Sequence, residues 1–212
     1  MAIIKKDAYY MSSTLINKIH CCIWQDDEKE PKGLFQIAHG VSEHIGRYDD
    51  FARFLACEGY IVFGNDHLGH GLSVESPEDF GFFAEEDGDL RMIDDMHILY
   101  NIMHRRYPDL PYFMFGHSMG SLCARVYAST FGNELSGLII CGTAQVPLDL
   151  NFFIDILDKA VAKFGPRKVN HAMASMLNKA SSLMISDRTS DLDWLSIKKE
   201  KVPNYIAAPM CV

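Results

Sequence analysis

Four short runs, Leu34–Ala38, Tyr60–Phe63, Pro111–Phe115 and Leu135–Cys141, apolar but for Gln36 and Ser136, are separated by stretches with helical periodicity. A strand that is apolar at every position is buried on both faces, the condition of a parallel sheet covered by helices, whereas a sheet with one wet face alternates. From Arg47 onward Phe51, Phe54 and Leu55 recur at helical spacing, and Gly59 stands where a glycine closes a helix. Strand, helix, strand in this order predicts a right-handed parallel βαβ unit. A second helix is predicted from about Asp89 to Arg106, with Leu90, Ile93, Met96, Leu99 and Ile102 or Met103 as its buried stripe and Pro108 and Pro111 beyond its end. A third runs from Ser118 to Phe131 and is closed by Gly132. Upstream, Tyr9–Thr14 and Lys18–Gln25 flank a polar turn around Asn17 and read as a hairpin. Residues 72–88, rich in Gly, Asp, Glu, Ser and Pro, read as a long loop.

After Pro147 the pattern changes. Phe152, Phe153, Ile156, Leu157, Ala160, Val161 and Phe164 mark one amphipathic helix and His171–Leu183 a second, with no strand signal between them. The chain therefore divides into an α/β core over 1–146 and a helical cap over 147–212. Met173, Met176 and Met184 of that cap suit either ordinary packing or the lining of an acyl-chain tunnel.

The 212 residues suffice for one core, and 48% apolar with 23% charged residues is the balance of a folded globular domain rather than of disorder. Twenty basic against 28 acidic residues leave a net charge of −8, which repels a phosphate backbone, so nucleic acid is not an expected partner. Six cysteines lack C-x-x-C pairs and histidines at zinc-finger spacing and read as reduced core thiols. The apolar run at Ala2-Ile-Ile4 is too short for a signal peptide, and no stretch reaches 18 apolar residues. A cytoplasmic protein without stable membrane insertion is expected, with transient membrane contact left open.

Gly116-His117-Ser118-Met119-Gly120 lies where an apolar strand meets a helix, the context of a G-x-S-x-G nucleophile elbow. The turn strains the serine, and a Cβ on either glycine would meet the neighbouring strand or helix. A helix N-cap serine would also fit this position, but a cap requires neither glycine. As nucleophile, Ser118 stands at the positive end of the helix dipole, with the Met119 N–H as one oxyanion donor.

Two further blocks accompany the elbow: His39-Gly40-Val41-Ser-Glu43-His44-Ile-Gly46-Arg47-Tyr48 after the first apolar run, and Asp66-His67-Leu-Gly69-His70-Gly71-Leu-Ser73 after the second. In this order, with Gly59-Tyr60 between them, the three blocks resemble the monoacylglycerol lipase and bacterial lysophospholipase branch of the α/β-hydrolase fold, closely over about Asn17–Thr143 and loosely in the cap. The resemblance implies that Ser118 is the nucleophile, that the backbone amides of Val41 and Met119 form the oxyanion hole, and that His39, Gly40, Gly116, His117 and Gly120 support loop and elbow. Asp66, His67 and His70 offer metal-ligand types, but the resemblance explains them as structural, and neither metal nor cofactor is expected.

The implied activity is hydrolysis of a carboxylic ester, a monoacylglycerol or lysophospholipid, through an acyl-enzyme. A peptidase or thioesterase of the same fold and a non-catalytic binding module are the alternatives. In this fold the acid and base follow the serine in the order Ser, Asp or Glu, His. Asp149, Asp155, Asp158 and His171 formally meet that order, but Asp155, Asp158 and His171 read as a solvated cap surface. The expectation is that the triad's Asp and His belong to strands beyond Val212, and that these 212 residues alone turn esters over negligibly. Oligomeric state is not legible.

Overall fold

The computed structural model describes residues 3–143, 150–168, 185–187, 189–198 and 202–208, with Ser175, Lys179, Ser182 and Met210. Strands β1 (Ile3–Met11), β2 (Lys18–Asp26), β3 (Gly33–Ala38), β4 (Tyr60–Asn65), β5 (Tyr112–His117) and β6 (Gly137–Cys141) form one sheet in the order β1-β2-β4-β3-β5-β6. β4, β3, β5 and β6 are mutually parallel, as their apolar runs predict, and the β1–β2 hairpin joins antiparallel through β2 and β4. β1 begins six residues before the predicted Tyr9. Its first half is exposed and charged at Lys5, Lys6 and Asp7, so only pairing with β2 reveals it as a strand, and the lysines suit an edge.

The helices are α1 (Asp49–Cys57), α2 (Gly88–Arg106), α3 (Met119–Phe131), α4 (Leu150–Phe164) and α5 (Val202–Ala207), of which α1, α2 and α3 pack on the sheet. One core joins Leu34, Phe63, Tyr112 and Met114 to Met96 and Leu99 of α2 and to Ala124 and Tyr127 of α3. A second, on the other sheet face, joins Trp24, Phe35, Ile37 and Val62 to Ala52 and Ala56 of α1. The successive residues Leu34 and Phe35, like Ile61 and Val62, thus serve opposite cores, which is why these strands carry apolar residues on both faces.

Two helical stripes differ from expectation. In α2 the buried set is Met92, Ile93, Met96, Leu99, Tyr100 and Met103, while Leu90 and Ile102 are exposed. Uniform steps of three drift about 60° per step around a helix of 3.6 residues per turn, and alternating steps of three and four hold one face. In α1 Ala52 and Ala56 are buried and Phe54 is exposed, about 200° around the helix from both. Gly59, at φ +87°, closes α1 by donating its N–H to Ala56 O at 2.9 Å. The loop after β4 contains only 3₁₀ turns at Gly71–Ser73 and Pro77–Asp79.

Cys21, Cys22 and Cys123 are buried free thiols, but Cys57 is half-buried and Cys141 exposed, because β6 is an edge strand among the described residues and also leaves Ile139 and Ile140 uncovered. Cys211 lies outside the described residues. So do the side chains of Phe152 and Phe153, the methionines 173, 176 and 184, His171, and most of the predicted helix 171–183. α4 is a helix as expected, yet Ile154, Ile156, Leu157, Val161 and Phe164 are exposed rather than packed on the core.

Candidate active site

The chain runs from β3 through α1 to β4 on one side of β3, and β5 lies on the other side. The C-terminal ends of β3 and β5 therefore flank the point where strand order reverses, the crevice in which α/β sheets bind ligands. Ala38 pairs with Gly116 in register, so His39-Gly40-Val41 and the 116–120 turn emerge side by side.

At that point Ser118 has φ +52° and ψ −118°, and α3 begins with Met119. A non-glycine residue at positive φ persists only where its surroundings fix it. Here the Ser118 N–H donates to Cys141 O at 2.9 Å, tying the turn to the end of β6, while Ser118 O accepts from Ser121 N–H at 2.9 Å and Ser121 Oγ at 2.5 Å. A Cβ on Gly120 would run into Ala38 O and stand 2.5 Å from His39 O, and one on Gly116 would lie 2.8 Å from Ala124 Cβ. Both glycines thus let α3 approach the strands, for the reason the motif suggests. As the first residue of α3, Met119 has an N–H without an acceptor inside the helix.

Gly40 is equally close to the turn: a Cβ there would lie 3.2 Å from Ser118 Cβ and 2.8 Å from Glu43 Oε1. Val41 is exposed beside it, and Ser42 takes φ +54° with its carbonyl accepting from Tyr205 Oη at 2.8 Å. His39 is fully buried. Its Nδ1–H donates to Gly40 O at 2.7 Å and its Nε2 accepts the His67 N–H at 3.0 Å, while burial and the neighbouring His67 and His70 hold its pKa well below the usual value. It braces the loop as a neutral imidazole.

Glu43 was quoted within its block without a role, and it proves to be the joint of the site. Its carboxylate accepts from Gly40 N–H (2.5 Å), Tyr48 Oη (2.7 Å), His117 Nδ1 (3.2 Å) and Arg47 Nε (3.2 Å). Burial disfavours its charge, but bonds from His117, Tyr48 and Gly40 outweigh this and keep its pKa below the usual carboxylate value. His117, one of the residues expected to support the elbow, has a side chain that is 41% exposed and ties the elbow to Glu43. The signal that could have found Glu43 is a carboxylate three residues after a glycine, within reach of that glycine's N–H.

Asp66 also acts structurally. Its buried carboxylate accepts from Ile45 N–H (2.7 Å), Leu72 N–H (2.8 Å) and His20 Nδ1 (2.8 Å), fastening three segments behind the loop. Burial opposes its ionisation, yet these bonds lower its pKa.

Among the described residues no histidine is hydrogen-bonded to Ser118 Oγ, and Asp155 and Asp158 lie on exposed α4. A cavity of about 450 Å³ lies among Ile16, Leu68, Val74, Phe82 and Arg167, under the 72–88 loop and away from the serine. Arg167 places its guanidinium 3.8 Å from the Phe82 ring and pairs with Asp79 and Glu85, occupying the mouth of that space.

Human monoglyceride lipase is 31% identical over 129 residues, covering 58% of this chain and 38% of its own length. The monoacylglycerol lipase of Mycolicibacterium smegmatis is 29% identical over 188 residues, 89% of this chain and 59% of that enzyme. The chain therefore spans well under two thirds of either relative. A thermostable carboxyl esterase from Bacillus coagulans, crystallised with glycerol, superposes with a TM-score of 0.87 at 29% identity, covering 99% of this chain and 67% of the esterase. The sequence pattern of the serine aminopeptidase S33 family matches residues 29–212, which include the loop, the elbow and the segment after them, and with the sheet order this establishes that the chain belongs to that family of α/β hydrolases.

Proposed function

We propose that the protein cleaves a carboxylic ester of lipid type, a monoacylglycerol or a lysophospholipid, with Ser118 as nucleophile. The observation that carries this reading is the backbone at Ser118. A serine that merely capped α3 would sit in the extended region, whereas φ +52° stores about 1–3 kcal/mol of strain that only an elbow requires. Gly40 packed against Ser118 supports a crevice shared by the Val41 and Met119 amides.

In the proposed reaction Ser118 Oγ adds to the ester carbonyl carbon while its proton passes to a histidine base held by a carboxylate. The carbonyl oxygen becomes an oxyanion facing the Val41 and Met119 amides. Collapse returns the proton to the departing alcohol and leaves the acyl group on Ser118, and water then releases the acid. His39 does not serve as the base, because both of its ring nitrogens are committed to the loop backbone.

The lipid class is supported by the names of the lipase relatives. The S33 description favours an aminopeptidase as second reading. The proposed cap over 147–212 is supported by two contacts to the core: Arg167 with Asp79 and Glu85, and Tyr205 with Ser42 and Arg47. No helix among the described residues is long and apolar enough to cross a membrane. The test is fluorophosphonate labelling together with turnover of p-nitrophenyl acyl esters and aminoacyl p-nitroanilides. Labelling absent in Ser118→Ala and ester preferred over anilide is the expected result; labelling that survives the substitution refutes the assignment, and anilide preference establishes the peptidase.

A further inference from the structure

We propose that Asp7 Oδ1, His20 Nε2 and Cys22 Sγ form a binding site for a thiophilic divalent cation such as zinc(II), on the β1–β2 hairpin and apart from the serine crevice. Asp7 stands opposite Cys22 in the antiparallel register, and His20 is two residues along the same face of β2. The three atoms are 3.0 Å (Asp7–His20), 3.2 Å (Asp7–Cys22) and 3.9 Å (His20–Cys22) apart. Tetrahedral coordination at about 2.0–2.3 Å places ligand atoms about 3.3–3.7 Å from one another. A point about 2.0 Å from all three atoms lies in their plane, so a metal slightly off that plane meets the distances that zinc takes with oxygen, nitrogen and sulfur. The fourth position then opens past Asp7, whose side chain is half-exposed, while His20 and Cys22 are buried.

A second observation is independent of these distances. The far nitrogen of His20, Nδ1, is 2.8 Å from the buried carboxylate of Asp66. A ligating histidine ordinarily donates its other N–H to a carboxylate, which fixes the tautomer and ring orientation and raises its basicity. Asp66 is itself held by Ile45 and Leu72 N–H groups, so the ring is aimed before any ion arrives.

Without metal, the pair of carboxylates outweighs burial and raises the His20 pKa, while burial and the bond to Asp7 raise that of Cys22. A divalent cation takes the thiolate of Cys22 and the unprotonated Nε2 of His20, so the thiol proton leaves on binding, while Nδ1–H stays on Asp66. The other charged or titratable groups near the cluster are Lys5 on β1, held between Asp49 and the Trp24 ring, Tyr9 on β1, whose ring lies 5.2 Å from that of His20, Cys21 on β2, Asp66 after β4, and His44 before α1. Lys5 opposes the cation, and Asp66 favours it.

The experiment titrates the metal-free chain with cobalt(II), reading thiolate-to-cobalt charge-transfer absorption and proton release. One equivalent with tetrahedral absorption is expected, with the thiol proton released and apparent affinity rising with pH. Cys22→Ser is expected to remove the charge-transfer band, and Asp7→Ala, on the exposed side, to weaken binding at least about 10-fold with the fold intact. A band that persists in Cys22→Ser, unchanged affinity in Asp7→Ala, or no proton release overturns the site. Circular dichroism checks folding, and if Cys22→Ser does not fold, Asp7→Ala and the proton count decide.

Discussion

Gly120→Ala sets two effects of one methyl group against each other. Gly120 is in the first turn of α3, where alanine gains up to about 1 kcal/mol of helix propensity. The same methyl would run into Ala38 O and lie 2.5 Å from Ala38 C and His39 O, all backbone atoms of β3 and the loop after it. Backbone cannot rotate aside as a side chain can, so α3 and β3 must separate by about 1 Å to restore ordinary contact, and overpacking of this kind costs about 1–3 kcal/mol or more. The clash therefore exceeds the propensity gain. A chain of this size loses about 2–4 °C in Tm per kcal/mol. The same displacement parts the Met119 amide from the Val41 amide, and 1 Å of misplacement costs on the order of 10²-fold in reactivity. Gly132→Ala is the control: φ is −59° and nothing lies within 4 Å of the added carbon, so it should stabilise by about 0.4–1 kcal/mol. The assay is urea and thermal unfolding together with the rate of fluorophosphonate labelling. Gly120→Ala with wild-type Tm, or labelling within a factor of two of wild type, would refute the close-approach argument.

Glu43→Ala strands the buried Gly40 N–H and frees Tyr48 and His117, so a loss of about 1–3 kcal/mol and slower labelling are expected, with Glu43→Gln intermediate; equal stability to wild type in urea contradicts this. His171→Ala is expected to leave any residual ester turnover unchanged, and its abolition would place the base in this chain. Stability should fall on acidification in two stages. His39, His44, His67 (about 3) and His70 are held below their usual pKa, chiefly by burial, so the unfolded chain binds more protons below about pH 6.5, at up to about 1.4 kcal/mol per pH unit for each. Asp66 and Glu43 add stability that is present above about pH 4 and is lost as pH falls through their lowered folded values. His20 acts oppositely, its contribution being present below about pH 6.5 and lost as pH rises through its raised value. Four depressed histidines outnumber one raised, so the urea midpoint should drop between pH 7 and pH 5, and a flat profile over that interval contradicts the burial of neutral imidazoles.

The apolar runs determined by themselves that β3, β4 and β5 lie parallel between helical layers, because a strand apolar on both faces has no wet face to offer; that β6 stands exposed at the sheet edge among the described residues was not legible. The elbow was equally legible: two glycines around a serine at a strand–helix junction meet a local steric need, and residues 116–120 are contiguous. The α2 stripe was misread at Leu90, which is apolar yet exposed, and of Ile102 and Met103 it is Met103 that is buried, because only the sheet beneath decides which arc of a helix is covered. Glu43 shows the limit at the site. Its three residues' separation from Gly40 is visible in the chain, but its bond to His117, 74 residues away, exists only because β3 and β5 are neighbours in register. The same holds for Asp7, His20 and Cys22, whose separations of 13 and 15 residues match no ligand spacing until the hairpin register sets Asp7 against Cys22. Local sterics and periodicity are written in consecutive residues; contacts made by strand pairing depend on register and sheet order, which the folded chain alone decides.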